Sequence, residues 1–321
     1  MSVQPGPLGR AVGGWLSFWF PRPPLATLAL MRIGVGLVLL YVLLITAFDL
    51  EIHFSREGWA PLDALRELDP MAWPFSVFNW VESGWWLWAM HIAAMTAATA
   101  FLLGVVPAVT GTLSVAFLLS YAHRNPALVL GLDGLLLLSL VYLTLTPCAR
   151  RLGVLPPRVP HRRPPPGLAR AEEGPGWSGL ALRVLQVHLA LLYFLSGLGR
   201  LSAAWLTGAV LWAPRAIELG QPFSAETLQA HVWLVPLLTH GMAVFELLFA
   251  VLVWNPRLRY AMLATAVLVH LGVGLAWELT PFNLLMLVLN LSFVPPAHLE
   301  ALVQRISPFF ALPWASPPGR A

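Results

Sequence analysis

LATLALMRIGVGLVLLYVLLITAF, residues 25–48, decides the fold. The run carries one charge, Arg32, in an otherwise almost wholly apolar stretch. As an α-helix it extends about 36 Å, more than the ~30 Å hydrocarbon thickness of a bilayer. Lipid offers no hydrogen-bond partners to a backbone, so such a run reads as a helix that crosses a membrane.

The rest of the chain repeats the pattern. Of 321 residues, 58% are hydrophobic and 11% charged. A soluble domain carries about 25% charged residues, so too few remain here to coat a water-soluble body. Further apolar runs fall at about 85–106, 108–121, 127–148, 179–201, 233–254, 260–277 and 281–295. The reading is an all-α, polytopic membrane helical bundle of about eight transmembrane helices plus short interfacial helices. Residues 1–24 hold Trp15, Phe18, Trp19 and Phe20 and read as an interfacial segment. Residues 25–296 form the transmembrane domain, and 297–321 a tail. Within the domain, residues 149–178, centred on PRVPHRRPPPGLARAEEGPG, read as an exposed loop, because proline blocks helix interiors. The connection 49–83 is acidic but holds Trp59, Trp73 and Trp80, and is expected to pack on the membrane surface. No cleavable signal peptide is expected, since the first long apolar run follows a Pro-rich stretch and is long enough to remain as an anchor.

The net charge of +4 comes with arginine as the sole strong base; no lysine is present. The positive charge sits in loops, which points to topology rather than nucleic acid. Arg10, Arg22, the arginines of 149–178, Arg257, Arg259, Arg305 and Arg320 fall on one side. Arg56, Arg66, Arg124 and Arg215, with Arg200 near a helix end, fall on the other. Basic loops stay in the cytoplasm. The expectation is a multi-pass protein of the cell membrane with both termini cytoplasmic. Cys148 is the single cysteine, which excludes an intrachain disulfide, a CxxC redox pair and a thiolate zinc cluster.

An ionisable group in hydrocarbon costs a few kcal/mol or more and therefore marks a partner or a function. The spans carry Arg32, His91, Asp133, Arg183, Gln186, His188, His240, Glu246 and His270, with amides at Asn283 and Asn290. At 100° per residue, Arg183, Gln186, Ala190, Tyr193, Gly197 and Arg200 share one arc of the fifth span, and His188 points away. Such a stripe needs a polar interior: either interhelical glue, with Arg183 paired to Asp133 or Glu246, or a cavity that binds something. His240 and Glu246 share a helix but not a face. The histidine spacing matches no metal site, and neither HExxH, GxSxG nor a phosphate-cradling glycine loop occurs.

The fifth span and its exit, RVLQVHLALLYFLSGLGRLSAAWLTG, resemble the vitamin K-dependent gamma-carboxylase family and its bacterial relatives, the HTTM (horizontally transferred transmembrane) proteins. The matching residues are Arg183, Gln186, Tyr193, Phe194, Gly197, Arg200, Leu201, Trp205 and Gly208. His240, Gly241 and Glu246 of HGMAVFELLFA, His270, and PFNLLMLVLNLSFVPP also fit. Arg32-Ile33-Gly34, Gly58-Trp59 and the run from Asn125-Pro126 to Asp133 resemble the bacterial branch. The resemblance implies a ligand cavity for a quinone-like, vitamin K-like or other amphipathic molecule. Its candidate residues are Arg183, Gln186, Tyr193, Arg200, His240, Glu246, His270 and Asp133. It also implies what is lost. The family's catalytic lysine falls on Arg200, and arginine stays protonated, so it cannot serve as that base. The family's histidine after a paired asparagine is replaced by Asn125-Pro126, and the stretch after Pro296 is too short for the lumenal domain of animal carboxylases. The implied protein keeps the scaffold without glutamate carboxylation, and whether it is an enzyme stays open.

Two other readings remain. The bacterial branch includes a protein of a sporulation-delaying toxin maturation system, which implies a non-catalytic role in maturation or export of a secreted peptide, with a periplasmic or membrane partner. A transporter would show inverted repeats, and no convincing internal repeat is visible.

Overall fold

The structure, a computed structural model, describes residues 6–21, 24–59, 61–68, 76–80, 83–129, 131–154, 176–212, 225–277 and 280–310. The core of the Arg/Pro-rich loop, Asp69, Trp73, Glu82, Arg22 and Arg215 lie outside the described residues. Among those described, every regular element is helical. The chain forms two compact units, Met1–Val184 with Pro295–Ala321, and Leu185–Val294.

The first unit opens with α1 (Pro7–Trp19), whose Leu8, Val12, Trp15 and Leu16 are exposed. The decisive run forms α2 (Leu25–Phe48), with Arg32 wholly buried among Leu28, Met31, Val35 and Leu39. Two short helices, α3 (Leu50–Phe54) and α4 (Leu62–Leu68), and a 3-10 turn, Val77–Trp80, follow in the acidic connection. The connection does not merely rest on a surface. Ser76 is buried and its hydroxyl donates to the Ser120 carbonyl at 2.7 Å. Phe54 and Phe78 close on Tyr121, with ring centroids 5.0 and 4.4 Å away.

Next come α5 (Gly84–Leu103), α6 (Pro107–Arg124), α7 (Gly131–Thr144) and, from the end of the chain, α15 (Pro296–Phe310). Helix α2 packs on α5, α7 and α15, and α6 packs between α5 and α7. Small residues permit the close crossings. A Cβ on Gly36 would stand 2.9 Å from the Leu102 Cβ, and one on Gly111 would stand 2.2 Å from the Thr144 hydroxyl. Gly104 ends α5 in the left-handed conformation, φ 76°, and Pro107 starts α6 three residues later. The Arg32 guanidinium lies in this corner. It donates to the Leu152 carbonyl at 2.7 Å, and its Nη1 occupies the space a Gly104 side chain would need.

The second unit takes most of α8 (Gly176–Gly199), then α9 (Ala203–Leu206), α10 (Ala209–Trp212) and α11 (Ala225–Ala230). It is completed by α12 (Leu234–Leu252), α13 (Arg259–Trp277) and α14 (Thr280–Asn290), with a 3-10 turn to Phe293. Gly197 brings α8 against α12, where a Cβ would meet the Leu247 side chain at 2.9 Å and its backbone nitrogen at 3.0 Å.

Each of the eight apolar runs contains a helix. Leu25–Phe48, Gly84–Leu103, Ser178–Gly199 and Leu234–Leu252 are long and apolar enough to cross a membrane. A fifth is counted if Thr280–Phe293 and Pro296–Ile306 form one broken span. Helix α6 is long enough, but Thr110, Thr112, Ser114, Ser120, His123 and Arg124 dilute its hydropathy. Helix α7 is shorter than the run at 127–148, because Pro126 opens a separate 3-10 turn, Pro126–Leu128. At about 21 Å it does not span ~30 Å by itself. The protein is an all-α membrane bundle, with four to five spans established by length and composition among the described residues.

Candidate functional site

The polar stripe of α8 faces inward. Gln186, Ala190, Tyr193 and Gly197 are buried and Arg200 is half-buried, while His188 is exposed. The stripe therefore meets other helices rather than lipid, as an amphipathic helix in a bilayer must.

Tyr193 is the centre of a hydrogen-bonded chain. Its hydroxyl lies 2.7 Å from His270 Nε2, and Asn290 Nδ2 donates to that hydroxyl at 2.9 Å. His270 Nδ1 lies 2.9 Å from Asn283 Oδ1. An amide oxygen only accepts, so Nδ1 carries the proton and Nε2 accepts from Tyr193. The polarity then runs from Asn290 through Tyr193 to His270 and on to Asn283. Three helices, α8, α13 and α14, contribute these four side chains. Phe249 of α12 lies against the Tyr193 ring at a centroid distance of 3.9 Å and holds it in place.

Beside this chain, Arg200 and Glu246 form a two-pronged ion pair, Nε to Oε2 at 2.7 Å and Nη2 to Oε1 at 2.9 Å. The Arg200 guanidinium also lies 4.0 Å from the Trp205 ring centroid. This fork geometry suits arginine and not lysine. Its charge is matched by a carboxylate on one side and an aromatic face on the other.

Tyr193, His270 and Asn283 of the chain and both members of the ion pair line one cavity of about 90 Å3, with Ser196 and Met286 among its other walls. That is room for about three water molecules at ~30 Å3 each. A second, almost wholly apolar cavity of about 330 Å3 shares Met242, Val269 and Val273 with it and is otherwise lined by residues such as Trp205, Leu238 and Gly272.

Four of the eight sequence candidates, Tyr193, Arg200, Glu246 and His270, therefore meet at one cavity. The other four lie elsewhere. Gln186 follows the same stripe but donates to the Ser292 carbonyl. Arg183 Nε donates to the Phe18 carbonyl at 2.7 Å and its guanidinium lies 4.5 Å over the Phe18 ring, fastening α1 to α8. His240 is exposed and donates to the Leu206 carbonyl at 3.0 Å, outside the cavity lining. Asp133 lines a separate cavity in the first unit.

One buried polar group is not legible as such in the sequence. Arg124, expected in a loop, is 1% exposed and donates to the Ser55 carbonyl. His91 and Tyr121 meet at 2.6 Å. The signal for Arg124 was its place at the end of an apolar run, which a loop and a buried helix terminus share. Among the described residues, no group of three His, Cys, Asp or Glu side chains is placed to hold a metal ion.

Residues 168–297 match the family model described as the HTTM domain. No curated protein and no solved structure matches the chain. The matched range takes in the α8 stripe and every residue named above at the 90 Å3 cavity.

Proposed function

We propose that this chain, an integral membrane protein carrying an HTTM domain over residues 168–297, is a binding protein for a quinone-like or other amphipathic ligand, on a carboxylase-like scaffold that extends over 25–296. What carries the reading is the pairing of two unlike cavities at Met242, Val269 and Val273. The smaller one offers hydrogen-bonding groups from Tyr193, His270, Arg200 and Glu246 but has room only for a compact head. The larger one, about 330 Å3, is lined almost wholly by apolar groups, as a hydrocarbon tail requires. Pockets of this kind, apolar with a few convergent polar groups, are the usual form of small-molecule sites.

The residues present fit an amphipathic carbonyl compound. A carbonyl head would have to compete with His270 for the single Tyr193 hydroxyl proton, and it could share the Arg200 guanidinium with Glu246. A bound quinone would supply two-electron, two-proton redox chemistry. Glutamate carboxylation is not part of the proposal. The position of the family's lysine is Arg200, a guanidinium rather than an amine, held by Glu246 and Trp205.

By the arginine distribution, the protein sits in the cell membrane with both termini cytoplasmic. The deciding experiment is solvent extraction of the purified protein, with chromatography and mass spectrometry of the extract, followed by titration with decylubiquinone. A stoichiometric quinone, or saturable decylubiquinone binding that is lost in Arg200→Ala and Met242→Trp, supports the proposal. No ligand in the extract and no saturable binding would refute it. A co-purifying secreted peptide in that case would favour the peptide-maturation role.

A further inference from the structure

The first unit holds a cavity that the quinone reading does not use. It measures about 260 Å3 and lies between the C-terminal part of α2, helix α3, the end of α6 and the start of α7. Its apolar wall includes Leu43, Leu118 and Leu132, and its polar wall is Asp49, His53, Asn125 and Asp133, with Thr46 and the Tyr121 ring.

The polar wall is one-sided. Among the described lining residues, two are carboxylates and none is an arginine. Asn125 is 1% exposed; its Nδ2 donates to the His53 carbonyl at 3.0 Å, and its Oδ1 has no hydrogen-bond partner among the described residues. The buried Nδ1 of His53 has none either. A buried acceptor without a donor costs about 1–3 kcal/mol, which a bound donor would relieve. Phe54 and Tyr121 add aromatic faces, packed edge-to-face at 5.0 Å, and such faces favour a cation. Among the described residues, Asp49, His53 and Asp133 do not form a group that could hold a metal ion, and the apolar wall beside them suits a cation that carries a hydrocarbon body.

We propose that this cavity binds a small amphiphilic amine, with its ammonium group at Asp49, Asp133 and Asn125 and its apolar body along α2 and α6. The volume lies just under the ~300 Å3 at which drug-sized pockets begin, so the occupant is a short-chain amine or the ammonium end of a longer amphiphile. An ammonium supplies three donors and no acceptor. That suits a wall that offers acceptors and negative charge.

The test uses the full chain in phosphatidylcholine nanodiscs, with empty discs as the partition control. Octylamine, octanol and octanoate are titrated, reading thermal midpoint and saturation-transfer NMR. Octylamine is expected to saturate at a concentration at least tenfold below octanol, and octanoate to give no saturable signal. Asp49→Asn with Asp133→Asn, which keeps shape and removes charge, is expected to erase the preference for the amine. Val129→Trp, which fills the cavity from its rim, is expected to abolish saturable binding. Equal responses to amine and alcohol overturn the proposal, as does a preference that survives Val129→Trp. If the double variant does not fold, Val129→Trp decides alone. Competition by phosphatidylethanolamine doped into the discs would identify a lipid headgroup as the source of the ammonium, and its absence a free amine.

Discussion

Arg200 and Glu246 bind each other through two hydrogen bonds, 2.7 and 2.9 Å long, across the gap between α8 and α12. The side chains are 17% and 9% exposed. Breaking a buried pair from one side costs about 3–5 kcal/mol, because the surviving charge is left without a partner. Glu246→Ala should therefore lower stability toward the smaller end of that range, given the residual exposure of Arg200. Arg200→Met combined with Glu246→Leu should recover most of the loss. Thermal denaturation of the three variants in detergent checks this; a double variant no more stable than Glu246→Ala would refute it.

Tyr193→Phe keeps the ring packed on Phe249 and removes only the hydroxyl. His270 Nε2 loses its donor and Asn290 Nδ2 its acceptor. The expected cost is about 1–3 kcal/mol, together with weaker decylubiquinone binding than wild type. A variant with unchanged thermal midpoint and unchanged binding would show that the chain from Asn290 to Asn283 contributes nothing.

Two glycine substitutions should differ sharply in their effect on stability. Gly104→Ala forces an L-residue to φ 76°, at roughly 1–2 kcal/mol, and its Cβ would lie 1.7 Å from Arg32 Nη1. The buried guanidinium would have to leave its corner, so the loss should exceed the backbone term and low accumulation in membranes is expected. Gly199→Ala meets nothing within 4 Å at the end of α8 and should be neutral or stabilise by up to ~1 kcal/mol. Comparative expression and thermal midpoints test the pair.

Topology can be read with single cysteines. Cys148 is buried, and Cys148→Ser gives a background free of thiols. In it, Arg56→Cys should react with a membrane-impermeant maleimide on intact cells, and Arg162→Cys only after lysis. Labelling of Arg162→Cys from outside would reverse the assigned orientation.

The amino-acid sequence by itself determined that this is a helical membrane protein. Runs such as Leu25–Phe48 must bury their own backbone polarity in lipid, and only a helix within the run does so locally. It also determined which face of α8 is polar, since that follows from 100° per residue alone. Tertiary structure decided which polar residues meet. Arg183 and Arg200 lie on the same stripe, yet one fastens α1 through Phe18 and the other joins Glu246. Periodicity gives the direction of a side chain but not the helix it faces, nor the depth at which a partner's carbonyl or carboxylate stands. The same limit hid Arg124 and Asn125. Their burial depends on Ser55 and His53, which approach from a connection 69 and 72 residues away, and no local pattern encodes that approach.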